Sequence, residues 1–453
     1  MASSTTGTAD TVAAEAPESP APAGYSSPLA AALAADALER FLRYVKIDTQ
    51  SQEGADSFPS TAKQLDLSRL LAAELRALGL ADARVDEHGY VFATLPATPG
   101  KESAPVIGLI AHVDTSPEAS GTGVRPQVIR NYRGGEIVLP GDPAQVLRPA
   151  DSPALNDCIG HNLVTSDGTT LLGADDKAGI AEIMAAVAYL VAHPELPHGS
   201  IKLAFTPDEE IGQGTRYFDI DAFGAAAAYT VDGSSVGEIE DETFTASTVT
   251  ITIRGHNVHP GYAKGKLVNS IKLAADLLSR LPRDRLSPET SEGRQGYVHP
   301  NVIKGGVEET SIQFIVRDFD AAALAEHERF LQRLADEVAA GEPRARVRVE
   351  VKRSYRNMKE YLAPHPQVLA AAEEAVRRAG LTPRRAFIRG GTDGARLSER
   401  GLPTPNLFTG AHDYHSVREW ISVQDMASAA AVLVHLAQVW AEATPALEHS
   451  GRH

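Results

Sequence analysis

Four apolar runs between residues 106 and 231 are each followed, at once or within a few residues, by an acid or a histidine. The run at 106–111 passes into His112-Val113-Asp114, and Leu171-Leu172 gives way through Gly173 and Ala174 to Asp175-Asp176. The run at 201–205 leads through Thr206, Pro207 and Asp208 to Glu209-Glu210, and the run at 226–231 ends on Asp232. Near-continuous apolar runs, interrupted here only by Lys202 and Thr230, are the pattern of strands buried on both faces of a parallel sheet. In an open α/β sheet the carboxyl ends of such strands line the crevice where ligands bind. The pattern therefore predicts four acid-bearing loops facing one cleft, where a divalent cation would relieve their mutual repulsion. Singly, each motif has a plainer explanation. Asp175-Asp176 also fits a helix N-cap beside a solvated acid, and His112 a satisfied core histidine. Four coincidences favour the metal.

Local spacing sharpens two of these motifs. After Asp176, the positions Ile180, Ile183, Met184, Val187 and Val191 recur at helical spacing, so a helix starts directly behind the paired acids. His112 and Asp114 are two residues apart in extended chain and share a face. A carboxylate beside an imidazole is the usual device for orienting a metal-ligating histidine.

At 453 residues the chain exceeds one ordinary core, so two domains are expected. A formal charge of −16 argues against a nucleic-acid partner, whose phosphates would be repelled, and leaves carboxylates free as ligands. The single cysteine, Cys158, rules out an intramolecular disulfide, fits a reducing cytoplasm and is read as structural. No run is long and apolar enough to span a bilayer. Residues 1–37, rich in Ala, Ser, Thr and Pro, lack the basic start and apolar segment of a signal peptide and read as a disordered tail.

Helical spacing predicts further helices over 31–47, 61–78, 268–281, 321–339, 366–379 and 425–440. Strict alternation over 248–253 signals a half-buried antiparallel strand, and strands at 311–317 and 347–351 complete a small α+β sandwich. The expected organisation is a tail (1–37) and a mostly parallel α/β catalytic domain in two parts (38–244 and 354–446). An α+β lid or dimerisation domain (245–353) is inserted between them. Near the end, His412 and His415 sit in a loop that Gly410 opens, a weak signal alone.

Five segments together carry a resemblance: Ala-His-Val-Asp-Thr (111–115), Thr-Thr-Leu-Leu-Gly-Ala-Asp-Asp-Lys-Ala-Gly (169–179), Phe-Thr-Pro-Asp-Glu-Glu-Ile-Gly (205–212), Asn-Val-His-Pro-Gly (257–261) and Arg-Gly-Gly-Thr-Asp-Gly (389–394). From about residue 38 to 445 the chain resembles the metal-dependent hydrolase family of aminoacylases, dipeptidases and succinyl-diaminopimelate desuccinylase, and within it the tripeptide aminopeptidases. The resemblance implies two Zn²⁺ ions per subunit, with Co²⁺ or Mn²⁺ as substitutes. Asp175 would bridge both ions, His112 and Asp232 would hold one, and Glu210 and His415 the other. Glu209 would be the general base, Asp114 would orient His112, and a cis peptide would join Asp175 to Asp176. His259 would stabilise the oxyanion, reaching the site from a partner subunit in a homodimer formed through the inserted domain. Arg389 and Arg317 would anchor the peptide's carboxylate, and Asn301 its backbone.

The implied activity is release of the N-terminal residue from tripeptides in the cytoplasm. Rivals are a dipeptidase, carboxypeptidase or N-acyl amino-acid deacylase of the same family, and a catalytically silent metal-binding relative. The metal ligands alone do not separate the hydrolases, because they read only the amide.

Overall fold

A computed structural model describes residues 24–443, and its frame is an eight-stranded mixed sheet. Across the sheet the strands are Arg84–Val85, Val91–Leu95, Ile201–Thr206, Ile107–His112, Ala227–Gly233, Asn406–Phe408, Glu238–Thr243 and Arg384–Ile388. The central strands, from Ile201–Thr206 to Asn406–Phe408, are mutually parallel. The flanks turn antiparallel, where Val91–Leu95 meets Ile201–Thr206 and where Glu238–Thr243 meets Asn406–Phe408. The α/β class expected from the sequence holds, with the parallel pairing concentrated where the apolar runs are densest. Ile107–His112 is buried at every position. Leu109 and Ala111 join the main core on one side and Ile110 a second cluster on the other, the period of two that a doubly covered strand requires.

Helices Pro28–Tyr44, Ala174–Ala192, Pro366–Arg378 and Val423–Glu442 contribute to that main core. Ala174–Ala192 is buried along nearly its whole length, which is why its sequence is apolar all round. It lies so close to Ala227–Gly233 that a Cβ at Gly179 would meet the Val231 carbonyl oxygen at 1.8 Å. Glycine at 179 thus sets how near the paired acids, at the start of this helix, come to Asp232.

The expected tail is shorter than 1–37. Residues 1–23 lie outside the described residues, but Ser27 caps a helix whose Ala30, Leu33, Ala34 and Ala37 are buried. Alanine has low hydrophobicity but packs closely on neighbouring helices, so composition disguised a core element. Leu171-Leu172 is another difference. It is buried but forms no strand, because the main-chain N–H groups of Leu172 and Gly173 donate to the Glu419 carboxylate (2.8 and 2.7 Å) instead of to a neighbouring strand.

The inserted segment is a four-stranded antiparallel sheet, ordered Tyr297–Gly305, Glu309–Asp318, Thr245–Arg254 and Arg346–Tyr355. Ser270–Ser279 and Ala321–Gly341 pack on it around a separate core. The strand Tyr297–Gly305 was not expected. It is an edge strand, mostly exposed, whose register breaks between Pro300 and Val302, so its sequence does not alternate. Arg294 of the insert grips Glu242 with two hydrogen bonds (2.5 and 2.7 Å), and Asn357 and Lys359 reach the same carboxylate where the chain returns.

Candidate active site

At the carboxyl edge of the parallel strands, residues from five separate places converge. His112 ends its strand, Asp175 opens the helix Ala174–Ala192, Glu209 and Glu210 follow Ile201–Thr206, and Asp232 closes Ala227–Gly233. His415 arrives from the loop between the short strands Ala411–His412 and Trp420–Ser422. Asp175 is the hinge of the arrangement. Its Oδ1 lies 2.9 Å from His112 Nε2, and its Oδ2 lies 3.3 Å from His415 Nε2. His112 Nε2 is also 3.6 Å from Asp232 Oδ1, and His415 Nε2 is 2.8 Å from Glu210 Oε2. Two groups result, His112/Asp175/Asp232 and Asp175/Glu210/His415, each with ligand atoms within 4.8 Å of one another. The Asp175–Asp176 peptide is cis.

The surroundings hold these groups in place. Glu419 accepts the N–H of Asp175 (2.9 Å) together with those of Leu172 and Gly173, so one buried carboxylate shapes the whole turn. Asp176 turns away and accepts the His112 main-chain N–H at 3.0 Å. His112 Nδ1 donates to the Asp114 main-chain carbonyl at 3.0 Å, with the carboxylate oxygen farther off at 3.4 Å. The Asp114 carboxylate instead receives the N–H groups of Glu209 and Glu210 (3.0 and 3.2 Å). Asp114 thus touches His112 chiefly through its backbone and ties the Glu-Glu turn to the histidine strand through its side chain. Asp208, at φ 59, anchors the same turn by accepting from Ser60 and Gln64. His415 sits at φ 56, a costly conformation for a non-glycine residue of the kind found at functional sites.

Burial and mutual repulsion strain the carboxylates. Burial, then the charge of Asp175, pushes Glu210 up to about 8. Burial drives Asp232 to about 6 against the pull of His112, with Asp175 adding to the rise. Glu210 Oε1 is buried with no hydrogen-bond partner among the described residues. Crowded acids, an orphaned buried oxygen and two imidazole nitrogens aimed at shared carboxylates fit a pair of divalent cations. Mixed N and O donors suit zinc, cobalt or manganese in an open, catalytic site. A third group, Cys158/His161/Asp425, is a buried network in which the thiol donates to Asp425 at 3.7 Å and His161 Nδ1 meets Ser422 at 2.9 Å.

The site opens into a cavity of about 840 Å³ lined by Asp175, Glu209, Glu210, Asp232 and His415, with Arg317 and Arg389 on its wall. Arg389 donates to main-chain carbonyls of Gly293 (2.6 Å) and Gln295 (3.1 Å), and Arg317 lies over the Tyr355 ring at 5.4 Å. His259 and Asn301 are exposed on the insert and are not among the residues lining the cavity. His259 Nδ1 accepts the Gly261 N–H at 3.1 Å. His412 stacks on Trp420, with ring centroids 4.5 Å apart, outside both groups. Glu419 and Asn406 were missed by sequence reasoning, as was the bond of Asp176 to the His112 main chain. The only signal for Glu419 was an acid directly before an apolar strand close to His415. Glu419→Gln is expected to weaken metal binding about 10- to 100-fold, the usual loss when a group holding a ligand is removed. Competition with a chromogenic chelator measures it, and unchanged affinity would mean that the turn holds itself.

A mixed sheet flanked by helices, with two His–carboxylate groups sharing one aspartate at its carboxyl edge, is the arrangement of a metal-dependent hydrolase. The chain belongs to peptidase family M20/M25/M40, whose family model matches residues 165–439. Within that family it is similar to peptidase T. It is 51% identical over 413 residues to peptidase T of Desulfitobacterium hafniense (strain DSM 10664 / DCB-2), covering 91% of this chain and 99% of the relative. To peptidase T of Geobacillus thermodenitrificans (strain NG80-2) it is 48% identical over 407 residues, covering 90% and 98%. Its fold is similar to the crystal structure of a tripeptidase from Staphylococcus aureus subsp. aureus Mu50, with a TM-score of 0.71 at 23% identity, covering 90% of this chain and 99% of that one. Among the described residues, no helix is long and apolar enough to cross a membrane.

Proposed function

We propose that this protein is a metal-dependent aminopeptidase that removes the N-terminal residue from tripeptides. One observation carries the chemistry: Asp175 offers its two oxygens to two separate His–carboxylate groups, 2.9 Å from His112 and 3.3 Å from His415. The substrate class follows the relatives, which are named peptidase T. His112, Asp175 and Asp232 would hold one ion, and Asp175, Glu210 and His415 the other, with zinc as the proposed metal. When bound, such a pair polarises a peptide carbonyl and lowers the pKa of water toward ~7. Glu209 takes the proton from the attacking water and delivers it to the leaving amine. Its carboxyl lines the cavity and makes no hydrogen bond or ion pair among the described residues, so its lone pairs are available. Burial holds its pKa well above the ordinary value, the direction a base working near neutrality needs. Asp114 keeps Glu209 and Glu210 in separate roles by fixing both main-chain N–H groups.

Arg389 and Arg317, on the cavity wall, are the proposed anchors for the peptide's carboxylate, since a guanidinium grips a carboxylate in two places. His259 is exposed on the insert and off the cavity wall, and its proposed oxyanion role is in the site of a second copy. A homodimer through the inserted domain, with working location in the cytoplasm, completes the proposal. Tripeptides, dipeptides and N-acetyl amino acids offered to the zinc-loaded protein test the assignment. Cleavage of tripeptides at the first bond is expected, and cleavage of the acylated amino acids alone would reject it.

A further inference from the structure

An aminopeptidase must recognise a free α-ammonium group, and neither group of metal-ligating residues is dedicated to that task. The cavity lining contains one more buried acid, Glu240, on the strand Glu238–Thr243. Its side chain is 7% exposed yet faces no Lys or Arg within ion-pairing distance among the described residues. Its one hydrogen-bond partner among the described residues is neutral: Asn406 Nδ2 donates to Glu240 Oε2 at 2.6 Å. The same Asn406 side chain accepts the Asp232 main-chain N–H at 3.1 Å through its Oδ1. Glu240 is therefore one amide group away from a residue of the metal centre. A buried carboxylate without a cation is costly, and such groups persist when something pairs with them.

The Asn406 bridge ties Glu240 to the metal centre, beside which a substrate's amine has to lie. In a peptide the α-amino nitrogen is two bonds from the scissile carbonyl carbon, so its anchor has to stand directly beside the groups that act on that carbonyl. Asp232 belongs to that centre, and Glu240 shares with it both the cavity wall and the Asn406 side chain. The same wall carries Arg317, Arg389 and Arg396, so one cavity holds charges of both signs, as a zwitterionic peptide requires. Resting on the aminopeptidase reading, we infer that Glu240 is a specificity-determining residue that binds the substrate's α-ammonium, with Asn406 holding its carboxylate in register with Asp232. This acid would select free peptides over N-acylated ones, for which a buried, unpaired carboxylate is left behind.

A binding cycle tests this without relying on turnover. In a metal-loaded Glu209→Gln background, calorimetry compares Leu-Gly-Gly with its desamino analogue, 4-methylpentanoyl-Gly-Gly, before and after Glu240→Gln. The substitution is expected to weaken Leu-Gly-Gly about 10- to 100-fold, as for loss of a charge-assisted hydrogen bond, and to change the analogue less than ~2-fold. Equal weakening of both ligands, or of neither, overturns the assignment. If Glu240→Gln does not fold, Glu240→Asp replaces it in the same cycle, where the shortened side chain is expected to penalise only the amine-bearing ligand. Should the otherwise unaltered enzyme fail to hydrolyse Leu-Gly-Gly, the aminopeptidase reading itself falls. If it hydrolyses the peptide and the cycle is additive, only the role of Glu240 falls.

Discussion

Asp175→Ala protein will fold, bind neither ion tightly and show no peptidase turnover above background. Asp175 is the one residue common to both groups of ligand atoms. Without it, His112 keeps only Asp232 and His415 keeps only Glu210. Two donors on a solvent-open wall compete poorly with water for a divalent ion. Loss of the charge stabilisation that metals supply, several kcal/mol, corresponds to a rate decrease of about 10³-fold or more. The apo fold should tolerate the change, because it removes one carboxylate from a set that burial already strains. The sharpest readout is thermal. The unaltered protein will gain melting temperature on zinc addition, by linkage of binding to folding, and the variant will not. Retention of two ions per chain by elemental analysis, with turnover intact, would sink the shared-ligand arrangement.

Glu209→Gln separates chemistry from binding. Glu209 lies outside both ligand groups, so the variant should keep its full metal content and its affinity for tripeptide. Glutamine is nearly isosteric and leaves the main-chain N–H bonded to Asp114 at 3.0 Å. What it lacks is a basic oxygen. The kcat should fall about 10²- to 10⁴-fold, the usual share of a positioned general base, while KM moves little. A metal-loaded variant with full kcat would assign proton transfer elsewhere.

The carboxyl edge of the sheet was legible in the chain because strand burial and loop chemistry coincide there. The apolar run before His112 and the acids at 209–210 and 232 each carry a local signature. His415 was weaker, since a histidine in a Gly-bounded loop has no periodicity, and only the family resemblance separated it from His412. Glu419, Asn406 and Glu240 were not legible. Each acts through contacts to segments far away in sequence, Glu419 to the 172–175 turn and Asn406 to Asp232, and no spacing rule reports such contacts. The helix Pro28–Tyr44 was partly lost to composition, because an alanine-rich start resembles a linker until its packing partners are present. Asp114 shows a finer limit. Its type and position pointed to His112, but in the fold its carboxylate serves the Glu-Glu turn.

Three residues that complete the centre, Asn406, His415 and Glu419, come from the segment that follows the inserted domain. On the ribosome, the acids at 175, 209, 210 and 232 emerge long before them, and the insert has its own core to fold in the interval. A chain that stops before them lacks His415 and so has only one of the two ligand groups, and it is expected to be inactive. The two-ion site is thus completed only by the segment that follows the insert, after the acids of the first part have already been made.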